Sequence, residues 1–85
     1  MEKLTKQEEE AMQAVWQCGQ GSVKDFLDAM PEPQPPYTTL ASTIKNLERK
    51  GFVTSEKVGN SYRYIPAIKE EEYKKRFMNV FVSDY

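Results

Sequence analysis

The stretch TTLASTIKNLERKG, from Thr38 to Gly51, limits the fold more than any other part of the chain. Its apolar residues Leu40, Ile44 and Leu47 recur at the spacing of one helical face, and such a face must be buried against other elements. Two prolines precede the stretch, and Thr38 or its neighbour is placed to cap it. The closing glycine suits the left-handed backbone conformation that often ends a helix. The pattern predicts an amphipathic helix with defined ends.

The opposite face of this predicted helix is polar. It carries Thr39, Ser42 and Asn46, followed by the cation Arg49. Hydroxyl, amide and guanidinium groups are those that pair with base edges and phosphates, whereas an ordinary solvated face is the commoner explanation for a single helix. The elements that follow favour the first interpretation.

The periodicity changes after this helix. Phe52 to Val58 and Ser61 to Ile65 alternate as strands do, and the Gly-Asn pair between them accepts the positive φ of a tight turn. These residues predict a β-hairpin. A two-stranded hairpin is marginal alone, so we expect it to lean on the helices through a face carrying Tyr62 and Tyr64, with Arg63 pointing the other way.

Two shorter patterns predict helices before the central one. The first runs from Leu4 to Gln17, begins at a capping box formed by Thr5 and Glu8, and has Trp16 as its largest core side chain. Ser22 caps the second, whose apolar residues are Val23, Phe26, Leu27 and Met30. The proline-rich sequence PEPQPP then connects to the third helix as the turn of a helix-turn-helix.

A last helix is predicted from Lys69 onward, with an apolar stripe formed by Tyr73, Phe77, Val80 and Phe81. Little chain remains to cover this stripe, which favours a dimer contact. The alternative is that the helix folds back on the first three, and the sequence alone does not separate the two.

Composition excludes several classes of function. The chain has 85 residues, enough for one small domain, and it contains no histidine and one cysteine. Without these side chains at a recognised spacing we expect no enzyme activity, no metal site and no cofactor, and we predict that Cys18 is a small core residue. No apolar run is long enough to cross a bilayer, which favours a cytoplasmic protein without membrane insertion.

Charge is unevenly distributed along the chain. The net charge is −1, yet residues 38–65 hold five cations and two anions, which makes that segment 5 − 2 = +3 and leaves −4 for the rest. One basic face on an acidic body would orient the domain on a polyanion. Three helices followed by a hairpin, with the cations in the third helix and the hairpin, are typical of a winged helix-turn-helix, in which that helix enters the major groove.

Three segments resemble the BlaI/MecI penicillinase-repressor family of bacteria. They are LTKQEEEAMQAVW, GSVKDFLDAMPEPQPPYTTLASTIKNLERKGFV and GNSYRYIPAIKEEEY, of which YTTL, LERKGF and YRYIP are the most specific. The resemblance implies a winged-helix repressor that binds a dyad-symmetric double-stranded DNA operator as a homodimer. It also implies release through a membrane sensor protease that leads to cleavage in the C-terminal part.

The resemblance also implies roles for individual residues. By position, the base-reading residues are Thr38, Thr39, Ser42 and Asn46, and the phosphate-binding candidates are Lys45, Arg49, Lys57 and Arg63. The fold class expected is α+β, mainly α, with residues 1–66 as the DNA-binding domain and residues 67–85 as the truncated start of a C-terminal dimerisation helix. A winged-helix module that binds protein and never DNA is the alternative function.

Overall fold

The computed structural model of the chain describes residues 3–77, which form a mainly helical winged helix. The predicted fold class is confirmed: helices and a two-stranded antiparallel sheet follow in the order expected. In this part of the chain no helix has the length and apolar character needed to cross a membrane. The elements are α1 (Lys6–Cys18), α2 (Val23–Ala29), α3 (Tyr37–Arg49), β1 (Val53–Val58), β2 (Ser61–Pro66) and α4 (Glu70–Phe77).

Local capping rules explain where the first two helices begin. The Thr5 hydroxyl accepts from the Glu8 amide at 3.2 Å, while the Glu8 carboxylate accepts from the Thr5 amide at 3.0 Å. Ser22 and Asp25 repeat this reciprocal arrangement at the start of α2. At α3 the prediction of a cap at Thr38 or its neighbour is wrong, because the helix already begins at Tyr37 and its N-cap is Pro36, which offers no side-chain cap.

The core lies between α1, α2, α3 and the base of the hairpin. The apolar stripe of α3 is fully buried, as the spacing of Leu40, Ile44 and Leu47 predicts. Two predictions about α1 are wrong. Trp16 is only partly buried, at the rim of the core, where its indole N–H donates to the Ile68 carbonyl at 2.8 Å. Cys18 is exposed in the last turn of α1, where its thiol donates to the Asp25 carbonyl of α2 at 3.7 Å.

The hairpin leans on the helices through its base. Ser55 pairs with Tyr64 and Lys57 pairs with Tyr62, on either side of a two-residue turn in which Gly59 has the positive φ expected. Tyr64 is buried and exchanges two backbone hydrogen bonds with Gly21, at 2.7 and 3.0 Å. The prediction that Tyr62 also packs inward is wrong, because this residue lies closer to the tip of the hairpin, and 52% of it is exposed.

The C-terminal helix α4 packs on the chain's own core. Tyr73 is 2% exposed, its ring lies 5.7 Å from that of Trp16 and 5.8 Å from that of Phe52, and its hydroxyl donates to Glu9 at 2.7 Å. Burial and the Glu9 carboxylate raise the pKa of Tyr73 to about 12. Within the described residues, α4 therefore folds back on the other helices.

This packing bears on the predicted dimer contacts. Tyr73 is one of the predicted dimer contacts, but its burial in its own chain leaves almost none of its surface exposed for a contact with a second chain. Phe77 is partly buried against the same core, with its ring 5.0 Å from that of Tyr73. Val80 and Phe81 lie outside the described residues.

Candidate nucleic-acid interface

The four predicted base-reading residues lie together on the outward side of α3. Thr38 and Ser42 are exposed, while Thr39 and Asn46 are half-buried. All four line a shallow depression of about 360 Å³. The face opposite the buried stripe is therefore at least partly open to solvent, and α1 borders one side of it.

One flank of this depression comes from α1. Gln7 lines the depression, and its amide nitrogen donates to the Thr43 hydroxyl at 3.3 Å. Thr43 in turn donates to the Thr39 carbonyl at 2.9 Å, so the Thr43 hydroxyl links Gln7 to the backbone of α3. Sequence reasoning missed Gln7, because it lies 36 residues before its contact and no local pattern links the two.

A buried ion pair holds α3 against α1. The Lys50 ammonium lies 2.7 Å from a Glu8 carboxylate oxygen, and the two side chains are 14% and 9% exposed. Burial on its own would raise the pKa of Glu8, but the hydrogen bonds from Lys50 and the Thr5 amide outweigh it and hold that pKa below its usual range. The charge of Lys50 thus positions the end of the helix.

The predicted phosphate-binding cations differ in their surroundings. Lys45 and Lys57 are exposed and make no ion pair within residues 3–77. Arg63 is paired with Glu56: its Nε donates to a Glu56 oxygen at 2.9 Å, and a second nitrogen of the guanidinium contacts the same oxygen. Arg63 thus has a carboxylate partner, whereas the other three predicted cations, with Arg49 as the third, form no ion pair within residues 3–77.

Arg49 and Asn46 are joined by a hydrogen bond. The guanidinium donates to the Asn46 side-chain oxygen at 3.0 Å, and both groups lie on the outward side of α3. A bidentate contact between an amide and adenine needs that oxygen as an acceptor and the amide nitrogen as a donor. A bidentate contact of Asn46 with adenine would therefore require its oxygen to share or release Arg49.

Comparison with known proteins identifies the family of the chain. The chain is 32% identical over 71 residues to an uncharacterised 16.5 kDa protein encoded in the ptsI 3′ region of Latilactobacillus sakei. The match covers 82% of the chain and 49% of the relative, so the chain spans about half the length of the curated relative it matches. A sequence model described as penicillinase repressor matches residues 4–85. The chain therefore belongs to the penicillinase repressor family, a family of transcriptional regulators.

Proposed function

We propose that the chain is the DNA-binding part of a transcriptional repressor that acts as a dimer on a dyad operator. The observation that carries this proposal is the exposed polar face of α3, which has unpaired cations beside it on the helix and on the hairpin. A helix with such a face fits the major groove, where hydroxyls and amides contact base edges and cations contact the flanking phosphates.

The proposal gives each side chain a role. Thr38, Thr39, Ser42 and Asn46 face base edges, because they share one depression on the outward side of α3. Lys45, Arg49 and Lys57 bind phosphates. Arg63 joins them only when Glu56 releases it, since that carboxylate already holds its guanidinium.

Assembly is a further part of the proposal. Residues 1–66 supply the DNA-binding surface and residues 67–85 begin the dimerisation element, with Val80 and Phe81 among the contacts that join two chains. A dimer of winged helices would meet half-sites about one helical turn, ~34 Å, apart. Release from the operator in the cytoplasm would follow cleavage by a membrane sensor protease in the C-terminal part of the whole protein.

The salt dependence of duplex binding tests this function. Each phosphate neutralised by a cation contributes about −0.9 to the slope of log affinity against log salt concentration. Three available cations predict roughly 3 × −0.9 = −2.7 per monomer, measured by titrating the 85-residue chain into a labelled duplex at several salt concentrations. A slope near zero, or binding that Arg49→Ala leaves unchanged, would contradict the proposal and favour a protein-binding module.

A further inference from the structure

A cleft of about 880 Å³ lies between α1 and the proline-rich turn that joins α2 to α3. Exposed residues of α1 between Lys6 and Gln13 form one wall, and the turn from Met30 to Pro35 forms the other. Two buried residues of α3, Leu40 and Thr43, complete the lining. Clefts that bind small molecules have volumes of about 300–1,000 Å³, so this one has the size of a ligand site.

The turn gives the cleft an apolar surface that is held in place. The apolar residues of the lining are Met30, Pro31, Pro33, Pro35 and Leu40. The Gln34 amide nitrogen donates to the Leu27 carbonyl at 2.9 Å and to the Met30 carbonyl at 3.0 Å, which ties the turn to the end of α2. Proline rings restrict the backbone between these contacts. A ligand would therefore meet a wall that is already formed, which lowers the entropy lost on binding.

The polar groups around this surface mostly accept hydrogen bonds. Gln34 donates both N–H groups of its amide to α2, which leaves only its side-chain oxygen for another molecule. Gln7 donates to Thr43 and Gln13 donates to Glu70, both at 3.3 Å. The side-chain oxygens of these two glutamines accept no hydrogen bond within residues 3–77. Three amide oxygens thus remain as acceptors beside one apolar surface.

The charged side chains of the cleft add further acceptors. Glu10 on α1 and Glu32 on the turn are exposed, and neither forms an ion pair within the described residues. Lys6 is the one cation among the described residues that line the cleft, which gives the lining a net charge of 1 − 2 = −1. Carboxylates and amide oxygens favour a ligand that is positively charged and donates hydrogen bonds.

We propose that this cleft binds a small molecule in which an apolar body is joined to a protonated amine. The body packs on Leu40 and the prolines of the turn, while Glu10 and Glu32 attract the ammonium and the amide oxygens accept its hydrogen bonds. The site adjoins the base-reading face, because Gln7 and Thr43 line both the cleft and the base-reading depression. It goes beyond the proposed function and does not depend on it, since binding of the amine can be measured without DNA.

Three matched fluorescent probes test the proposal on the 85-residue chain. Dansylcadaverine joins an aromatic dansyl group to a protonated amine through an alkyl chain, and two analogues end the same chain in a methyl group or a carboxylate. We expect the amine to bind with a dissociation constant of roughly 10–100 μM, about two- to tenfold tighter than the methyl probe and tighter still than the carboxylate probe. Equal binding of the amine and methyl probes, tighter binding of the carboxylate probe, or no binding of any probe would overturn the inference.

Substitutions show whether the amine binds in this cleft. Glu10→Gln and Glu32→Gln should each weaken its binding by about two- to fivefold and leave the methyl probe unaffected, whereas Lys6→Gln should strengthen it by a similar factor. Glu72→Gln removes the same charge from an exposed residue of α4 that does not line the cleft, and it should change nothing. Met30→Gln keeps the length of the side chain and should weaken the binding of all three probes, because it makes the apolar wall polar. Melting curves check that every variant is folded.

The control separates the cleft from a general effect of net charge. If Glu72→Gln weakens binding of the amine as much as Glu10→Gln and Glu32→Gln do, the cleft is not the site and the inference fails. Binding that Met30→Gln leaves unchanged would also overturn it. A chain that shows the expected pattern with the probes but binds no duplex would keep this inference and lose the proposed function.

Discussion

The ion pair between Arg63 and Glu56 makes a quantitative prediction about the hairpin. Glu56→Gln removes the carboxylate charge that holds the guanidinium and leaves a neutral side chain of similar size. Arg63 then becomes a fourth cation that is free to bind a phosphate. The salt slope per monomer should steepen from roughly −2.7 to roughly −3.6, a change of about −0.9 for one added contact.

The size of this effect is measurable by fluorescence anisotropy. Raising salt from ~50 to ~200 mM multiplies its concentration by about 4, so one added contact makes the affinity fall by a further factor of about 4 to the power 0.9, or ~3.5. The experiment compares Glu56→Gln with Glu71→Gln, which removes the same charge from an exposed position on α4. The control should leave the slope unchanged, because no residue of α4 lines the base-reading depression.

A double-substitution cycle shows whether Arg63 is the cause. Arg63→Ala alone should leave the slope nearly unchanged, since Glu56 already counters that charge, and Arg63→Ala combined with Glu56→Gln should return the slope to its original value. The reasoning would be refuted if Arg63→Ala alone lowered the slope by about 0.9 while Glu56→Gln had no effect. That result would mean that Arg63 contacts a phosphate in spite of its carboxylate partner.

Three further predictions concern the base-reading face and the contacts that hold it in place. Asn46→Ala should lower the binding free energy by about 1–3 kcal/mol through one operator position and relax specificity there. Binding to a set of operator variants measures this effect. An equal loss on every variant would rule out base reading by the amide. Glu8→Gln should lower the urea midpoint, because it removes the carboxylate charge that the largely buried Lys50 ammonium contacts at 2.7 Å. The pKa of Glu8 is lower in the folded than in the unfolded state, so its ionised carboxylate adds to the free energy of unfolding above the unfolded pKa of about 4.3. This contribution is lost as pH falls through the folded pKa. The variant lacks it and should therefore lose less stability in acid. Tyr73→Phe should cost about 1 kcal/mol near neutral pH, because it removes the hydrogen bond to Glu9. The contribution of Tyr73 is present below an unfolded pKa of about 10 and is lost as pH rises towards a folded pKa of about 12, so a denaturation series in that range should show a smaller loss for the variant.

The elements of the fold could be predicted from the sequence because their signals are local. The capping box of Thr5 with Glu8 and the Gly-Asn turn fix the start of α1 and the centre of the hairpin through contacts over a few residues. Depth of burial is not local. Trp16, Cys18 and Tyr62 all lie on apolar or alternating patterns, yet each is at the end or edge of its element, where tertiary packing decides whether anything covers it.

The candidate site likewise has features that local sequence patterns predict and features that depend on tertiary packing. The outward face of α3 follows from helical spacing, because burying Leu40 and Ile44 leaves Ser42 and Asn46 on the other side. The pairing of Glu56 with Arg63 carried a usable signal, since a two-residue turn at Gly59 and Asn60 sets those positions opposite each other. Gln7 carried none, because its place beside α3 depends on how two distant helices pack.

The most direct test of the account is chemical-shift mapping of the isotope-labelled chain as a duplex is added. The account predicts that the largest changes fall on the outward residues of α3, from Thr38 to Arg49, and on the hairpin around Lys57 and Tyr62, with little change in α4. Changes confined to α4 around Phe77, with α3 unaffected, would contradict the claim that α3 and the hairpin form a DNA-binding surface.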